Sequence, residues 1–325
     1  MPAMAMTDPA RYAADAAQAV GAVFEDLDNG EGYLFRVSKG SHFLVAGAGS
    51  VCSFPVNSAT AFTLSRDKAH TKTVLREAGI PVIPGRLFFA HKRRAGLRGP
   101  GREIEDARAY AAQLGYPVFV KPNHGSRGNF AEIVQDDAQL ADYAARVAVE
   151  FESFLLEPVV DGTEHRVMIH DGRVVFHSVK QTPDLVGDGQ RTLGELLAEF
   201  NAQLSEQGIS PYPASILAGQ DGEVLESGGF VVLPGRRNLS AAGTLERISM
   251  EAPHVLAQMS ARAVAALGLR IGAVDLFDLS EAGDLSKLAV IEVNGNPGLR
   301  TLELAGRMDL IRGIWVAMLN ELLEA

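Results

Sequence analysis

The sequence predicts an α+β fold on three observations. Two late apolar runs, Gly272-Ala-Val-Asp-Leu-Phe-Asp278 and Leu288-Ala-Val-Ile-Glu-Val-Asn294, have the β-branched composition of buried strands. Strand-like runs elsewhere come in pairs around tight-turn signals, Lys39-Gly40 and Asp171-Gly172. Helical patterns of apolar residues alternate with these strands along the whole chain.

In chain order, Pro9 to Leu27 reads as a helix and ends in the turn cluster Asp28-Asn-Gly-Glu-Gly32. Gly32–Ser38 and Ser41–Ala46 read as a hairpin, and Gly47 and Gly49 after it are turn glycines: no third glycine completes a dinucleotide fingerprint. Ser58 to Ala78 reads as one helix containing Asp67-Lys-Ala-His-Thr-Lys72, and Gly79-Ile-Pro-Val-Ile-Pro-Gly85 ends it. The basic, glycine-rich stretch Lys92 to Arg102 is a loop and a domain boundary. A helix at Ile104–Leu114, a strand at Gly115–Pro122, the polar loop Asn123-His-Gly-Ser-Arg-Gly-Asn129, a return strand at Ala131–Val134 and a helix at Asp137–Phe151 follow. Then come strands at Phe154–Glu157, Arg166–His170 and Arg173–Val179, the turn Val186-Gly-Asp-Gly189, a helix at Thr192–Ala202, a strand at Phe230–Leu233 and a helix at His254–Leu267. One amphipathic helix, Leu302–Leu323, closes the chain after the two acid-bearing strands.

Composition excludes several classes. With 47% hydrophobic and 22% charged residues the chain is ordinary globular material. A net charge of −10 argues against sequence-independent nucleic-acid binding and membrane-surface binding, both of which need clustered Lys and Arg. The single cysteine, Cys52, allows no intramolecular disulfide. The short N-terminus has no signal-peptide pattern, and no window reaches the ~20 apolar residues of a membrane span. A cytoplasmic protein handling small molecules is the expectation.

The chemistry gathers at two places. Asp275 and Glu292 interrupt apolar strands, and with Asn294 they form the hard oxygen set that Mg²⁺ prefers; outward-facing acids on half-buried strands are the alternative. Lys121 ends a strand and precedes a loop whose Gly125 to Gly128 backbone is free to approach an anion, a phosphate-handling arrangement that a plain surface lysine would also explain. The chain has no Walker A motif and no protein-kinase signature. His165, His170 and His177 show no metal-ligand spacing and are assigned to packing or surface. His124 is read as solvated, Trp315 as core, Cys52 as unpartnered, and Asp184 and Asp188 as solvated turn residues.

Taken in order, these features resemble the ATP-grasp superfamily, in particular the ATP-grasp region of cyanophycin synthetases and glutathione-synthetase-like ligases. The matching features are Asp67-Lys68 with Thr71-Lys72, Tyr116-Pro-Val-Phe-Val-Lys121, the Gly-Ser-Arg-Gly loop, Glu157 with Glu164 and Arg166, Val186-Gly-Asp-Gly189, Arg237-Asn-Leu-Ser-Ala-Ala-Gly243, Asp275 and Glu292-Val-Asn294. They run from near Tyr33 to the C-terminus, roughly nine-tenths of the chain.

The resemblance implies a reduced N-terminal region (residues 1–97), a small lid (98–160) and a larger C-terminal antiparallel-sheet domain with the metal site (161–325). It implies that Lys68 and Lys121 contact ATP phosphates under a flap containing Gly125, Ser126 and Gly128. Glu157 and Glu164 would bind adenine and ribose, and Asn238 would lie in a phosphate- and substrate-contacting loop. Asp275, Glu292 and Asn294 would hold two Mg²⁺ ions, with Mn²⁺ as an alternative. Arg237 and Arg300 would act on the reacting substrate. The implied activity is amide formation from a carboxylate and an amine through an acyl phosphate, releasing ADP and phosphate, on amino acid or small peptide substrates. A peptide or carrier-protein acceptor and a non-catalytic nucleotide-binding module are the alternatives. No nucleic-acid or membrane partner is expected, and a homodimer is. The resemblance covers the ATP-grasp region of the cyanophycin enzymes and not their Mur-ligase-like second half, and the chain reads Asn238-Leu-Ser-Ala-Ala-Gly243 where those enzymes carry a further glycine and a hydroxyl residue. These departures leave the ATP site intact and bear on the acceptor substrate.

Overall fold

A computed structural model describes residues 6–125, 128–180, 183–206, 211–233 and 248–324. The chain opens with α1 (Asp8–Ala19) and an antiparallel three-stranded sheet, β1 (Val23–Asp26), β2 (Leu34–Lys39) and β3 (His42–Gly47). Val23 and Phe24 belong to β1 and not to a long first helix. Gly21 ends α1 in the left-handed region (φ +67), and Phe24 pairs with Val37 across the ladder.

The expected helix over Ser58–Ala78 is two helices, α2 (Ala59–Arg66) and α3 (Lys68–Glu77). Asp67 breaks it with extended backbone (φ −93, ψ 101), and its carboxylate accepts from His70 N–H as the cap of α3. Lys68 therefore opens a helix where the sequence pattern put it inside one. A four-stranded antiparallel sheet follows, with β4 (Arg86–Phe89), β5 (Val118–Pro122), β6 (Glu132–Val134) and β7 (Ser153–Pro158) in spatial order β4-β7-β5-β6. Helices α4 (Ile104–Leu114) and α5 (Asp137–Val147) cover one face. Strand β4 escaped the sequence pattern because it is four residues long and exists through pairing with β7, Arg86 opposite Leu156.

The second sheet contains β8 (Thr163–His170) and β9 (Arg173–Lys180), the expected hairpin around Asp171-Gly172. A short ribbon, β10 (Asp184–Val186) with β11 (Phe230–Val232), carries α6 (Leu193–Glu206) between its strands. The start of the expected Val186 turn is thus a strand. After β12 (Ile248–Ser249) and α7 (His254–Ala266) come the two acid-bearing strands, β13 (Ile271–Asp278) and β14 (Leu288–Asn294), giving the antiparallel order β12-β9-β8-β13-β14. The last helix is also divided, into α8 (Arg300–Leu304) and α9 (Met308–Glu324), because Gly306 takes a left-handed conformation (φ +72) between them.

Burial follows the two faces of this five-stranded sheet. Val167, Ile169, Val274 and Leu276 pack under α7, α2 and α3. On the opposite face, Met168, Phe176, Ile271 and Ala273 join α1, α9 and the inner face of the N-terminal sheet. Trp315 is buried there, 6.2 Å from Phe35 and 5.9 Å from Phe54 ring to ring, the core position expected for it. A third core, with Phe88, Val118, Val120, Tyr143, Phe154 and Leu156, lies between the four-stranded sheet and α4 and α5.

Asn57 fastens the start of β13 to the end of β14. Its amide nitrogen donates to the carbonyls of Ile271 and Gly295 (both 2.8 Å), and its oxygen accepts from the N–H groups of Arg270 (2.8 Å) and Ile271 (3.1 Å). Asn57→Ala strands several buried backbone groups and should cost at least about 2 kcal/mol in urea unfolding. A loss below about 0.5 kcal/mol would show that Asn57 is only a surface substitution in energetic terms.

Candidate functional site

Alternation along the strands decides which side chains can meet. In the four-stranded sheet Val118, Val120, Phe154 and Leu156 face the helices, so Phe119, Lys121, Leu155 and Glu157 face the other way. Phe119 is opposite Glu157 in the register, which makes Lys121 and Glu157 diagonal neighbours on that face.

Glu157 is 2% exposed and held by two cations: Lys72 Nζ lies 2.6 Å from Oε1 and Lys121 Nζ lies 3.0 Å from Oε2. Both lysines are buried as well. Burial alone raises the Glu157 carboxyl, but the two ammoniums outweigh it and keep it below the usual carboxylate range. Desolvation dominates at Lys72 and brings its ammonium down to about 8, against the pull of Glu157.

The five-stranded sheet supplies the facing row. Arg166, Asp275 and Glu292 are successive cross-strand partners on β8, β13 and β14, and so share a face. Asp275 is 1% exposed and is gripped bidentately by Arg166, Nε to Oδ1 and Nη2 to Oδ2 at 2.7 Å each. Asn294 follows Glu292 on the same face, and its amide nitrogen donates to Glu292 Oε1 at 3.4 Å. Glu164 lies two residues before Arg166 on β8, opposite Phe277, and is buried.

Lys68 bridges the two sheets. Its Nζ donates to the carbonyl of Gly125 at 2.7 Å and lies 3.8 Å from Glu292 Oε2. Burial holds this ammonium below its ordinary range; Glu292 pulls it upward and nearby Lys121 pushes it down. Three ammoniums, Lys68, Lys72 and Lys121, thus gather around Glu157 and Glu292, with the Asp67 carboxylate also acting on Lys68. Ammoniums concentrated at one place favour an anionic ligand.

The strand pattern named Lys121, Asp275, Glu292 and Asn294 and the resemblance added Lys68 and Glu157; the structure brings Lys68 to Glu292, Lys121 to Glu157, and Asn294 and Asp275 beside Glu292. Two members that neither assigned are Lys72 and Asn123. Asn123 follows Lys121-Pro122, and its carbonyl accepts from Lys68 N–H (3.3 Å) while its side-chain oxygen accepts from Ala69 N–H (2.9 Å). It therefore ties the end of β5 to the start of α3. The signal for Lys72 was its spacing: four residues after Lys68 on a helix, it points to the same side.

Gly125 and Gly128 lie on the loop beyond Asn123. Ser126 lies outside the described residues, as do Arg237 and Asn238. Arg300 is exposed at the first position of α8. His124 is largely exposed, with Nε2 3.5 Å from Asp67 Oδ2. His165 and His177 stack on the other face of the five-stranded sheet, Nδ1 to Nε2 at 3.0 Å, a buried pair the spacing did not suggest.

Asp275, Glu292 and Asn294 offer oxygen donors from adjacent strands, which fits a hard divalent cation. Among the described residues no three His, Cys, Asp or Glu side chains converge as a closed cage. Such an ion would need Asn294, water or ligand oxygens to complete its shell, and it would share Asp275 with Arg166.

Gly85 leaves the space that the Glu157 side chain fills: a Cβ there would stand 2.6 Å from Glu157 Cγ and 3.0 Å from the Leu156 carbonyl. Gly→Ala at an unencumbered position stabilises by about 0.4–1 kcal/mol. Gly85→Ala should instead lower the unfolding free energy by about 1–3 kcal/mol. Unchanged or raised stability in denaturant titration would mean that Glu157 is not packed against this segment.

The fold and the sequence both have known relatives. Residues 67–165, from the cap of α3 through the four-stranded sheet into β8, match the family model for the ATP-binding domain of the carbamoyl-phosphate synthase L chain. Cyanophycin synthetase from Geminocystis herdmanii is 28% identical over 278 residues, covering 80% of this chain and 30% of that protein. The glutathione biosynthesis bifunctional protein GshAB of Streptococcus mutans is 26% identical over 253 residues, covering 72% of this chain and 32% of its own. This chain thus spans about a third of the length of the curated relatives it matches. A bifunctional glutathione synthetase from Pasteurella multocida superposes with a TM-score of 0.53 at 20% identity, over 98% of this chain and 44% of that one. The chain thus has the ATP-grasp fold and is similar in sequence to the cyanophycin synthetases and the bifunctional glutathione proteins.

Proposed function

We propose that this chain is an ATP-dependent carboxylate-amine ligase acting on amino acids or small peptides. The observation that carries the reading is the buried cluster of Lys68, Lys121 and Lys72 with Glu157 and Glu292, next to the oxygen donors of Asp275 and Asn294.

In this reading Lys68 and Lys121 meet the ATP phosphates, with Gly125, Ser126 and Gly128 in the flap. Glu157 and Glu164 are assigned to the purine and ribose end. Both Glu157 oxygens already face ammoniums, so its part there is to fix Lys121 as much as to accept from the base. Asp275, Glu292 and Asn294 would hold Mg²⁺, two ions in the full set and Mn²⁺ as a substitute, which supplies positive charge to the transferring phosphoryl group. A substrate carboxylate oxygen attacks the γ-phosphorus, and the bond to the ADP oxygen breaks. An amine then attacks the acyl carbon, phosphate leaves, and the amine gives up a proton. Arg300 would hold a substrate carboxylate as a bidentate fork, and Arg237 and Asn238 would face the leaving phosphate.

No helix among the described residues is long and apolar enough to cross a membrane, and the net charge of −10 disfavours nucleic acid, in keeping with a cytoplasmic enzyme. A homodimer is supported by the outer face of the N-terminal sheet. There, exposed Val23, Phe43 and Val45 surround the Arg36–Glu25 ion pair, a mixed apolar and charged patch of the kind a two-fold contact with a second copy would cover.

Phosphate release from Mg-ATP, measured across the twenty amino acids singly and in pairs, should depend on one pair, and Glu292→Ala should reduce it by about 100-fold or more. Tight ATP binding without release for any pair would remove the free-amino-acid reading.

A further inference from the structure

We infer that Lys72 is a positioning residue of the nucleotide site, acting through Glu157 on Lys121 without touching the nucleotide. The inference rests on the nucleotide-site reading above and adds to it a residue on α3 that the ligand does not reach.

The geometry is a relay. Lys72 Nζ is fixed from two sides, donating to the carbonyl of Ile83 at 2.7 Å and lying 2.6 Å from Glu157 Oε1. At 2% exposure it has no room for a solvated alternative. Glu157 passes the constraint on, since its second oxygen lies 3.0 Å from Lys121 Nζ. Gly85 supports the same placement independently, because any side chain there would collide with Glu157. The groups facing Lys72 are Glu157 from β7, Lys121 from β5, the Ile83 carbonyl from the segment after α3, and Arg76 on its own helix.

Without the Lys72 charge, Glu157 has one ammonium to satisfy it. Lys121 is then drawn wholly into that pair and the cluster loses one positive charge. A nucleotide would meet a less positive pocket with a displaced lysine. Outer partners of metal ligands change affinity or activity by about 10–100-fold, and an effect of that order is expected for the partner of a phosphate-facing lysine.

Protonation gives a second handle. Burial lowers the Lys72 ammonium to about 8, so raising the pH through that value removes its charge. Arginine keeps its charge over the same range.

The experiment is calorimetric titration of the full chain with Mg-ADP, for the wild type, Lys72→Met and Lys72→Arg, from pH 6.5 to 9.5. Circular dichroism and thermal melting confirm that each variant is folded. The expected result is a Kd for ADP raised at least about tenfold in Lys72→Met. The wild-type Kd should weaken above pH 8. In Lys72→Arg the Kd should stay near the wild-type value at pH 7 and weaken less on the alkaline side. Folded Lys72→Met with wild-type affinity would overturn the assignment and leave the nucleotide reading standing. A wild type that binds no ADP would overturn the nucleotide reading, and this inference with it. Should Lys72→Met fail to fold, the pH profiles decide: identical alkaline limbs in the wild type and Lys72→Arg would overturn the inference.

Discussion

The constraint on which the site depends is the burial of one carboxylate. Glu157 sits almost fully out of water, where an uncompensated charge would cost several kcal/mol, and it is tolerable only because Lys72 and Lys121 flank it. Those two lysines come from different elements, α3 and β5. Satisfying the charge therefore pins a helix against a strand of the four-stranded sheet, and Gly85 is left without a side chain to make room.

From that point the rest of the site follows. Asn123, immediately past β5, accepts from the first N–H groups of α3 and shares that work with the Asp67 cap, so Lys68 and Lys121 are set by the same few hydrogen bonds. Lys68 then reaches across to Glu292, whose strand is registered against Asp275 and Arg166. One sheet carries Lys121 and Glu157, the other the paired strands with Asp275 and Glu292, and α3 supplies Lys68 and Lys72. An arrangement that concentrates ammoniums beside an oxygen-donor set suits a phosphate ester with a divalent cation better than either ligand alone.

Much of this was legible in the chain. The long helices α4, α5 and α7 and the hairpin β8–β9 follow from periodicity and turn residues within a few positions, because each is stabilised by local pattern as well as by packing. Elements that depend on distant partners were not legible. Strand β1 was absorbed into a helix, β4 was missed, and the helices over 58–78 and 302–323 were read as unbroken. In each case a pairing partner or a single backbone conformation at Gly21, Asp67 or Gly306 outweighs a local apolar pattern.

The sequence alone determined the chemistry available to the site. Carboxylates set into apolar strands at Asp275 and Glu292, a lysine ending the strand at Lys121, and the order of these motifs are covalent facts, and they name candidate residues without Lys72 and Asn123. Only the tertiary structure decided what each charge does. Glu157, expected at the adenine and ribose end, is held by two lysines; Asp275, expected as a metal donor, is also gripped by Arg166; Lys72, given no role in the motif, completes the buried cluster. The reason is physical. The energy of a charge depends on how much water it has lost and on which counter-charge lies within a few ångströms, and strand register and helix placement set both.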